Sequence, residues 1–369
     1  MKKLDFISNI DKGRISESSG VTSWLSPSNL AIVKYWGKYD QQLPRNPSIS
    51  ITLSKAVTNT AIKYKIDPRR SNMKLDFLFE NKENPTFKVR VEKFLMSIQE
   101  YFPFIQYSHL MIDSKNSFPH SSGIASSASS MSALALCLCD IERSIVPSAK
   151  ICEDNYFFKK SSFIARLGSG SASRSVYPHF ALWGHVKGDA QSSDLYAIEV
   201  KEYHPIFNTL RNDILIVNTD QKSVSSTLGH KLMENNPYAA TRYAQAIERT
   251  LELKHILKNG DLEDFGALLE SEALTLHALM MASHPSFLLI EPNTINVINE
   301  IRSFRKDTGI PVYFSLDAGP NMHIISFEKD RDKINTLLEH LRRYAVSGKI
   351  LNDRIGIGAV KENNRKSGG

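Results

Sequence analysis

The spacing of hydrophobic residues changes along this chain of 369 residues. Hydrophobic and polar residues alternate over residues 49–54 and again over residues 62–66, which predicts half-buried β-strands. From residue 131 to residue 145, hydrophobic residues recur every three or four positions, which predicts an amphipathic helix. Strands and helices that are mixed without strict alternation favour an α+β fold.

The second half of the chain predicts further elements of both kinds. A short buried strand is predicted over residues 213–217, and two strands joined by a turn over residues 311–317 and 322–327. Helical spacing occurs near residues 237–258, 261–282, 293–305 and 330–345. The hydrophobic pattern is interrupted near residues 205–212, so we expect one domain over residues 1–208 and a second over residues 209–369.

Charge and composition favour a small anionic partner. The formal net charge is +7, but the basic residues are scattered among 39 acidic ones, and no motif of a nucleic-acid-binding domain is present. We therefore expect a phosphorylated small molecule and no nucleic acid. The three cysteines include no C-x-x-C pair, so neither a disulfide framework nor a zinc site is predicted. The chain has no hydrophobic signal segment and no membrane-spanning stretch, so a cytoplasmic protein without a membrane partner is expected.

A serine-rich stretch leads directly into the helix predicted from about residue 125. Seven of the twelve residues from Ser121 to Ser132 are serine. A loop of small residues before a helix N-terminus presents unpaired N–H groups, hydroxyls and the positive end of the helix dipole, which suit a phosphate. A generic serine-rich stretch is better explained as a surface loop with a serine N-cap. Here Pro119 and Gly123, followed by a strongly hydrophobic helix, favour the phosphate site.

Two other segments carry candidate residues for chemistry. In the stretch 166–175, Gly168 and Gly170 let a ligand approach the backbone, and Arg174 offers several donors to a carboxylate or phosphate. A tight turn with a surface arginine explains that stretch equally well. Asp317, before Ala-Gly-Pro-Asn, stands at a strand end where a catalytic base is often placed. Taken alone, it is better explained as an Asx turn.

The segment 28–38 combines a buried strand with polar side chains at one end, namely Asn29, Lys34, Tyr35 and Lys38. Core packing explains its hydrophobic residues but not this polar set. The sequence contains no Walker A motif, no H-E-x-x-H and no G-x-S-x-G, which excludes the commonest nucleotide, zinc-protease and serine-hydrolase sites.

Together these segments resemble the diphosphomevalonate decarboxylase family of the GHMP kinase superfamily. The family motif N-[IL]-A-x-x-K-Y-W-G-K is matched by residues 29–38, and L-P-x-N-x-S-[IL]-S-x-T-L by residues 43–53. The nucleotide loop N-x-F-P-x-x-x-G-[LI]-A-S-S-A is matched by residues 116–128, G-S-G-S-A-x-R-S by residues 168–175, and D-A-G-P-N by residues 317–321. The resemblance runs in unchanged order from about residue 20 to residue 330.

The resemblance implies two α+β domains with the active site in the cleft between them, a reaction that needs ATP and Mg²⁺, and a homodimer. The family phosphorylates the 3-hydroxyl of (R)-5-diphosphomevalonate and then releases phosphate and CO₂ to give isopentenyl diphosphate, in the mevalonate pathway of isoprenoid biosynthesis. A β-hydroxy acid has no carbonyl to accept the electrons of decarboxylation, so its hydroxyl must first become a leaving group. Arg174 together with Asp317 disfavours the alternative of a mevalonate-type kinase, whereas a decarboxylase of mevalonate 5-phosphate stays open.

The resemblance also assigns roles to individual residues. Asp317 would orient or deprotonate the 3-hydroxyl, Arg174 would hold the substrate carboxylate with Asn29 beside it, and Ser127 would contact the ATP phosphates and the metal. The residues expected to bind the substrate are Tyr35, Trp36, Gly37, Lys38, Arg90, Ser169, Gly170, Ser171, Ala172, Ser173, Arg174 and Thr227. Those expected to bind ATP are Pro119, Ser122, Gly123, Ala125, Ser126 and Ser127.

Two departures from the family pattern stand out. The family usually continues with Tyr-Gly-Gly after G-S-G-S-A-x-R-S, whereas this chain has Tyr177-Pro178-His179, which changes the backbone freedom beside the site. A charged and aromatic insertion around residues 147–160 also lengthens the link between the nucleotide helix and Arg174. We expect these departures to affect substrate detail more than the class of reaction.

Overall fold

The computed structural model describes residues 1–8, 15–118, 124–146, 149–219, 224 and 226–362. Within these residues, the strands are β1 (Ser18–Ala31), β2 (Lys38–Tyr39), β3 (Leu43–Pro44), β4 (Ser48–Ile66), β5 (Lys74–Phe79), β6 (Lys82–Glu83), β7 (Ser108–Asn116), β8 (Phe180–Trp183), β9 (Ala197–Glu199), β10 (Leu210–Leu215), β11 (Tyr313–Leu316), β12 (Met322–Phe327), β13 (Ile350–Arg354) and β14 (Val360–Lys361). The helices are α1 (Pro85–Ser97), α2 (Ser126–Ile145), α3 (Ala149–Cys152), α4 (Asp154–Gly168), α5 (Ser226–Leu232), α6 (Ala239–Asn259), α7 (Leu262–Met281), α8 (Pro292–Thr308) and α9 (Arg331–Leu341).

The larger sheet is built around the long strand β4. Its strand order is β14-β1-β4-β7-β5-β6, and β8 pairs with the N-terminal end of β4 and with β9. The pairing is antiparallel except between β5 and β7. Hydrophobic side chains of α2 and α4 pack on this sheet and form one core with it. The sheet therefore supports α2, whose N-terminus faces the site described below.

The pairing of β1 with β4 is irregular just before Asn29, where residues 53–56 of β4 bulge opposite the single residue Ser28 of β1. The register with β4 shifts between Pro27, opposite Val57, and Asn29, opposite Thr52. A proline has no N–H for a ladder hydrogen bond and is tolerated at such an irregularity. A bulge also changes the direction of the side chains that follow it.

The smaller sheet has the order β11-β12-β10-β13, with antiparallel pairing throughout. Helices α7, α8 and α9 contribute to its hydrophobic core. A further core joins the two sheets: residues of β1, β4 and β8 pack with α6, α7 and the smaller sheet. The loop that follows β11 is thereby held next to the end of β1.

Polar contacts also connect the two sheets. Asp353 of β13 accepts hydrogen bonds from the backbone N–H groups of Ser54, Lys55 and Ala56, at 2.9, 2.8 and 2.7 Å. Strand β14 returns to the edge of the larger sheet and pairs with β1. Residues near the C-terminus are therefore part of the sheet that the N-terminal half builds.

The predicted α+β class is confirmed, and many predicted elements occur near their expected positions. The two predicted strands at 49–54 and 62–66 are parts of the single strand β4, and the four predicted helices of the second half correspond to α6, α7, α8 and α9. The insertion around 147–160 contains α3 and the start of α4 in its described part. The division into domains after residue 208 stays a prediction. Within the described residues, no helix combines the length and the hydrophobicity needed to cross a membrane.

Candidate active site

A cavity of about 800 Å³ lies where the end of β1, the N-terminus of α2, the segment 168–174 and the loop after β11 meet. Most of the residues expected from the sequence line it. They are Asn29, Tyr35, Trp36, Lys38, Arg90, Ala125, Ser126, Ser127, Ser169, Gly170, Ser171, Arg174, Thr227 and Asp317. Segments that are far apart in the sequence thus converge on one space of the size of a substrate and a nucleotide.

Three expected residues do not line the cavity, and three others lie outside the described residues. Ala172 and Ser173 are fully buried in the interior, and Ser173 Oγ donates to the carbonyl of Gly170 at 2.8 Å. Gly37 has a φ of 100°, and a Cβ there would collide with the hydroxyl of Tyr243, so this glycine is required by the backbone and by packing. Pro119, Ser122 and Gly123 lie outside the described part of the chain.

The N-terminus of α2 opens into the cavity. Among the described residues, no side chain caps this helix, and Ser126 and Ser127 of its first turn line the cavity. Ala125 precedes the helix with φ 44° and ψ 44°, a left-handed conformation that costs a residue with a Cβ about 1 kcal/mol or more. Ser127 Oγ lies 3.3 Å from Ser169 Oγ, so two predicted binding segments are in contact. An uncapped helix N-terminus in a cavity suits an anion.

Arg174 supplies a buried positive charge to the same cavity. It belongs to a 3-10 helix over Gly170–Val176 and is 2% exposed. Nη1 donates to Ser48 Oγ at 2.7 Å, and Nη2 donates to Asn29 Oδ1 at 3.3 Å. Burial lowers the pKa of Arg174 to about 10, against the opposing effect of the negative charge on Asp317. The guanidinium therefore stays charged at neutral pH.

Asn29 is oriented by two hydrogen bonds of its own. Its Nδ2 donates to the carbonyl of Ser171 at 3.1 Å and to Ser175 Oγ at 2.7 Å. The carbonyl oxygen of the amide is then the atom available to accept from Arg174. Asn29 follows the irregular pairing of β1 with β4, and Ser171 and Ser175 belong to the 3-10 helix, so these two features together place the hydrogen-bonding groups.

Asp317 is paired with a lysine that the sequence analysis noted only as part of a polar set. Lys34 Nζ donates to Asp317 Oδ1 at 3.0 Å and to Ser315 Oγ at 3.0 Å. The side chain of Lys34 is 2% exposed, whereas that of Asp317 is 24% exposed. Both residues line the cavity, and the carboxylate is the more exposed of the two. Lys34 lies inside the N-[IL]-A-x-x-K-Y-W-G-K match, which is the signal that could have identified it.

The segment 35–38 is packed against α5 and the glycine-rich segment. A Cβ on Gly170 would lie 2.8 Å from the hydroxyl of Tyr35, and a Cβ on Gly229 would lie 2.6 Å from the indole of Trp36. Both glycines are therefore needed for the close approach of these aromatic rings. Burial raises the pKa of Tyr35, so its hydroxyl is a neutral donor.

His230 of α5 holds this segment from the other side. Its Nδ1 accepts the backbone N–H of Gly37 at 2.9 Å, and its ring lies 4.4 and 4.7 Å from the ring centroids of Tyr35 and Trp36. Burial, with a smaller contribution from the charge of Lys38, lowers the pKa of His230 to about 3. The imidazole is therefore neutral. The sequence analysis did not find His230, because a single histidine outside the quoted motifs gives no signal.

One wall of the cavity is hydrophobic. It is formed by Phe77 and Phe79 of β5 and by Phe87, Val91 and Phe94 of α1. Arg90 lies on the same helix, and its guanidinium is 6.0 Å from the ring centroid of Phe87. A flat hydrophobic group fits such a wall better than a phosphate does.

The departure at Tyr177-Pro178-His179 has a structural counterpart. His179 has a φ of 50°, a left-handed conformation that glycine adopts without strain. Tyr203 contacts this histidine through a hydrogen bond of 2.9 Å between its hydroxyl and Nδ1. The side chain thus stabilises a backbone conformation in which the family has glycine.

A magnesium ion would take most of its ligands from phosphate and water. Within the described residues, no group of three or more histidine, cysteine, aspartate and glutamate side chains is placed to hold a metal ion. The hydroxyls at the start of α2 and the carboxylate of Asp317 are oxygen donors of the kind that Mg²⁺ prefers. The chemistry of the cavity therefore fits a metal that arrives with a nucleotide.

Comparisons with known proteins find similarity over most of the chain. Two family models match the chain: the diphosphomevalonate decarboxylase-like N-terminal domain over residues 26–195 and the mevalonate 5-diphosphate decarboxylase C-terminal domain over residues 213–363. The chain is 30% identical over 334 residues to the diphosphomevalonate decarboxylase of Candida albicans, and the alignment covers 87% of each chain.

Solved structures show the same similarity. The fold superposes on mevalonate diphosphate decarboxylase from Staphylococcus aureus with a TM-score of 0.79, at 26% identity and with coverage of 94% of this chain and 99% of the other. A structure of MDDEF in complex with MVAPP, AMPPCP and magnesium superposes with a TM-score of 0.78, at 25% identity and with coverage of 94% and 100%.

Proposed function

The chain belongs to the diphosphomevalonate decarboxylase family, and from this premise we propose that it decarboxylates (R)-5-diphosphomevalonate with the use of ATP and Mg²⁺. The products are isopentenyl diphosphate, ADP, phosphate and CO₂. The observation that carries the proposal is the convergence of Asp317, Lys34 and Arg174 with the open N-terminus of α2 in one cavity. A related protein binds MVAPP together with AMPPCP and magnesium.

The first step is phosphorylation of the 3-hydroxyl. Asp317 orients this hydroxyl and takes up its proton as the oxygen attacks the γ-phosphorus of ATP and the bond to ADP breaks. Lys34 holds the carboxylate in place and adds a positive charge near the transferring group. The N–H groups and hydroxyls of Ser126 and Ser127 contact the phosphates, and Mg²⁺ held there by the phosphates and these hydroxyls would supply further positive charge.

The second step is loss of CO₂. The bond between C2 and the carboxylate breaks, its electron pair forms the new double bond, and the bond from C3 to the phosphate oxygen breaks. Arg174 holds the carboxylate until this step, with Asn29 and Ser48 fixing the guanidinium. A kinase needs no buried cation for the carboxylate, so Arg174 favours decarboxylation.

Other residues of the cavity are assigned either to the diphosphate of the substrate or to the adenine of ATP. We propose that Tyr35, Trp36 and Lys38, with Ser169 to Ser171 and Thr227, bind the substrate diphosphate. All of them line the cavity, and Tyr35 and Trp36 pack closely against Gly170 and Gly229. The hydrophobic wall of β5 and α1 packs against the adenine of ATP. Arg90 is proposed to meet a phosphate from its position on α1.

We also propose that the protein is a cytoplasmic homodimer of two-domain subunits divided near residue 208. The cysteines of the described residues are free thiols, which suits a reducing compartment. Light scattering on the purified protein should give about twice the chain mass of 41.6 kDa; a mass equal to one chain would contradict the dimer.

The activity can be tested with three candidate substrates in parallel. The purified protein is incubated with Mg-ATP and mevalonate, mevalonate 5-phosphate or mevalonate 5-diphosphate, and ADP and CO₂ are followed together. We expect both products from the 5-diphosphate alone. Release of CO₂ from the 5-phosphate would favour the monophosphate decarboxylase, and ADP without CO₂ would make the protein a kinase.

A further inference from the structure

The backbone of Lys34 is held by side chains from distant helices. Lys34 follows β1 in a stretch that belongs to no strand or helix, and buried backbone polar groups in such a stretch must find other partners. Its N–H donates to Glu272 Oε2 at 2.7 Å, and its carbonyl accepts from Arg242 Nη2 at 3.1 Å. Asn46 Nδ2 donates to the same carbonyl at 3.1 Å. Both backbone polar groups of this one residue thus have partners on α6 and α7.

The Arg242–Glu272 pair is enclosed and geometrically well defined. The two side chains are 2% and 0% exposed, and both terminal nitrogens of Arg242 donate to the carboxylate at 2.6 Å. Arg249 adds a third donor at 2.6 Å. Burial acts to raise the pKa of Glu272, but the hydrogen bonds and charge of Arg242, together with the hydrogen bonds of Arg249 and the Lys34 N–H, outweigh it, and the pKa is lowered. Because desolvation offsets much of the gain of a buried ion pair, stability alone is a weak reason for its presence.

We propose that Arg242 and Glu272 are positioning residues: they fix the backbone of Lys34 and, through it, the ammonium that contacts Asp317. This inference rests on the proposed function and adds to it residues that do not themselves line the cavity within the described chain. The side chain of Lys34 is 2% exposed, so its stem has little room to readjust, and a displaced backbone moves Nζ away from the carboxylate. A mutation far from the reacting atoms that displaces a catalytic group by about 1 Å can lower the rate about 100-fold.

Helix α7 also provides a matched control. Glu270 lies two residues before Glu272, is 6% exposed and accepts from Arg305 Nη1 and Nη2 at 2.7 and 3.2 Å. Its other ion-pair partner is Arg302, at 3.6 Å. Glu270→Gln therefore makes the same chemical change in a similar buried pair that does not hold Lys34.

The test compares Glu272→Gln with Glu270→Gln in the decarboxylation assay. We expect kcat to fall about 100-fold in Glu272→Gln and to change less than about threefold in Glu270→Gln, with KM for the diphosphate nearly constant in both. If Glu272 acts only through Lys34, then adding Glu272→Gln to Lys34→Met causes no further loss. Equal kcat values in the two glutamine variants, or fully additive losses in the double variant, would overturn the inference.

A wild-type measurement and a replacement variant complete the test. Wild-type release of CO₂ is measured first: its absence would refute the proposed function and this inference with it, whereas release with equal glutamine variants refutes the inference alone. If Glu272→Gln does not fold, Arg242→Lys replaces it. A lysine keeps the charge pair with Glu272 but cannot present the planar pair of nitrogens that reaches both the carboxylate and the Lys34 carbonyl. Wild-type kcat in Arg242→Lys would also overturn the inference.

Discussion

Replacing Asp317 by asparagine should disturb catalysis and folding by separate routes. Asparagine has almost the same shape, but it cannot take up the proton of the 3-hydroxyl. We expect turnover to fall by about 10³-fold or more, as is usual when a positioned acid–base group is lost. ATP should still bind, because the N-terminus of α2 and the hydrophobic wall are unchanged.

The effect on folding follows from the burial of Lys34. Its side chain is 2% exposed, so its ammonium cannot regain water when the carboxylate is lost. Removal of one partner from a buried pair costs about 3–5 kcal/mol. Asp317 is 24% exposed, and an amide oxygen and Ser315 Oγ still accept hydrogen bonds, so we expect a loss of about 2–3 kcal/mol in the free energy of unfolding.

A second substitution separates the two routes. Lys34→Met combined with Asp317→Asn leaves no charge on either side, and neutral groups of similar volume often replace a buried pair at little cost. The double variant should therefore regain most of the thermal stability and remain inactive. Near-normal release of ADP and CO₂ by Asp317→Asn would remove Asp317 from the chemistry, and an unchanged melting temperature would refute the argument from Lys34.

Other substitutions test other parts of the site. Arg174→Gln should abolish CO₂ release more than it lowers the melting temperature, because a bidentate carboxylate contact is lost; a collapsed melting transition would mark Arg174 as structural. Gly229→Ala places a Cβ 2.6 Å from the Trp36 indole, so it should raise KM for the diphosphate and leave the affinity for ATP unchanged. Equal changes in both would contradict the assignment of Trp36 to the diphosphate end of the cavity. Burial lowers the pKa of His230 to about 3 and that of His323 to about 4, from 6.5. Both are then neutral when folded but protonated when unfolded below pH 6.5, so the melting temperature should fall on acidification from about pH 7 to about pH 5, and less so in His323→Gln.

Local sequence patterns predicted those helices and strands whose own hydrophobic residues show where they begin and end. Helices α6 to α9 lie close to the predicted ranges because each has buried residues at helical spacing, and strands β11 and β12 because all their residues are buried. Helix α1 was not delimited, since it has only one fully buried side chain, Leu95. Phe87, Val91 and Phe94 line the cavity at helical spacing, but they are only partly buried.

The candidate site was predictable where motifs mark it and not where distant contacts build it. Asp317 and Arg174 stand in quoted motifs and meet in one cavity. The pairing of Lys34 with Asp317 spans 283 positions, and local spacing carries no information about it. Ala172 and Ser173 show the opposite case: a motif match includes them, although their side chains are buried in the interior.

Strand β14, near the C-terminus, pairs with the larger sheet. The sequences of the two halves of the chain therefore have to stay compatible with each other. Asp353 accepts hydrogen bonds from the backbone N–H groups of residues 54–56, so this contact does not depend on which side chains those residues carry. Lys361 instead pairs with the Asp140 side chain at 2.8 Å, and Glu362 accepts from the Asn59 amide at 2.6 Å. Positions 140 and 361 are therefore expected to change together among relatives, and a chimera joined near residue 208 keeps these contacts only if both halves come from compatible parents.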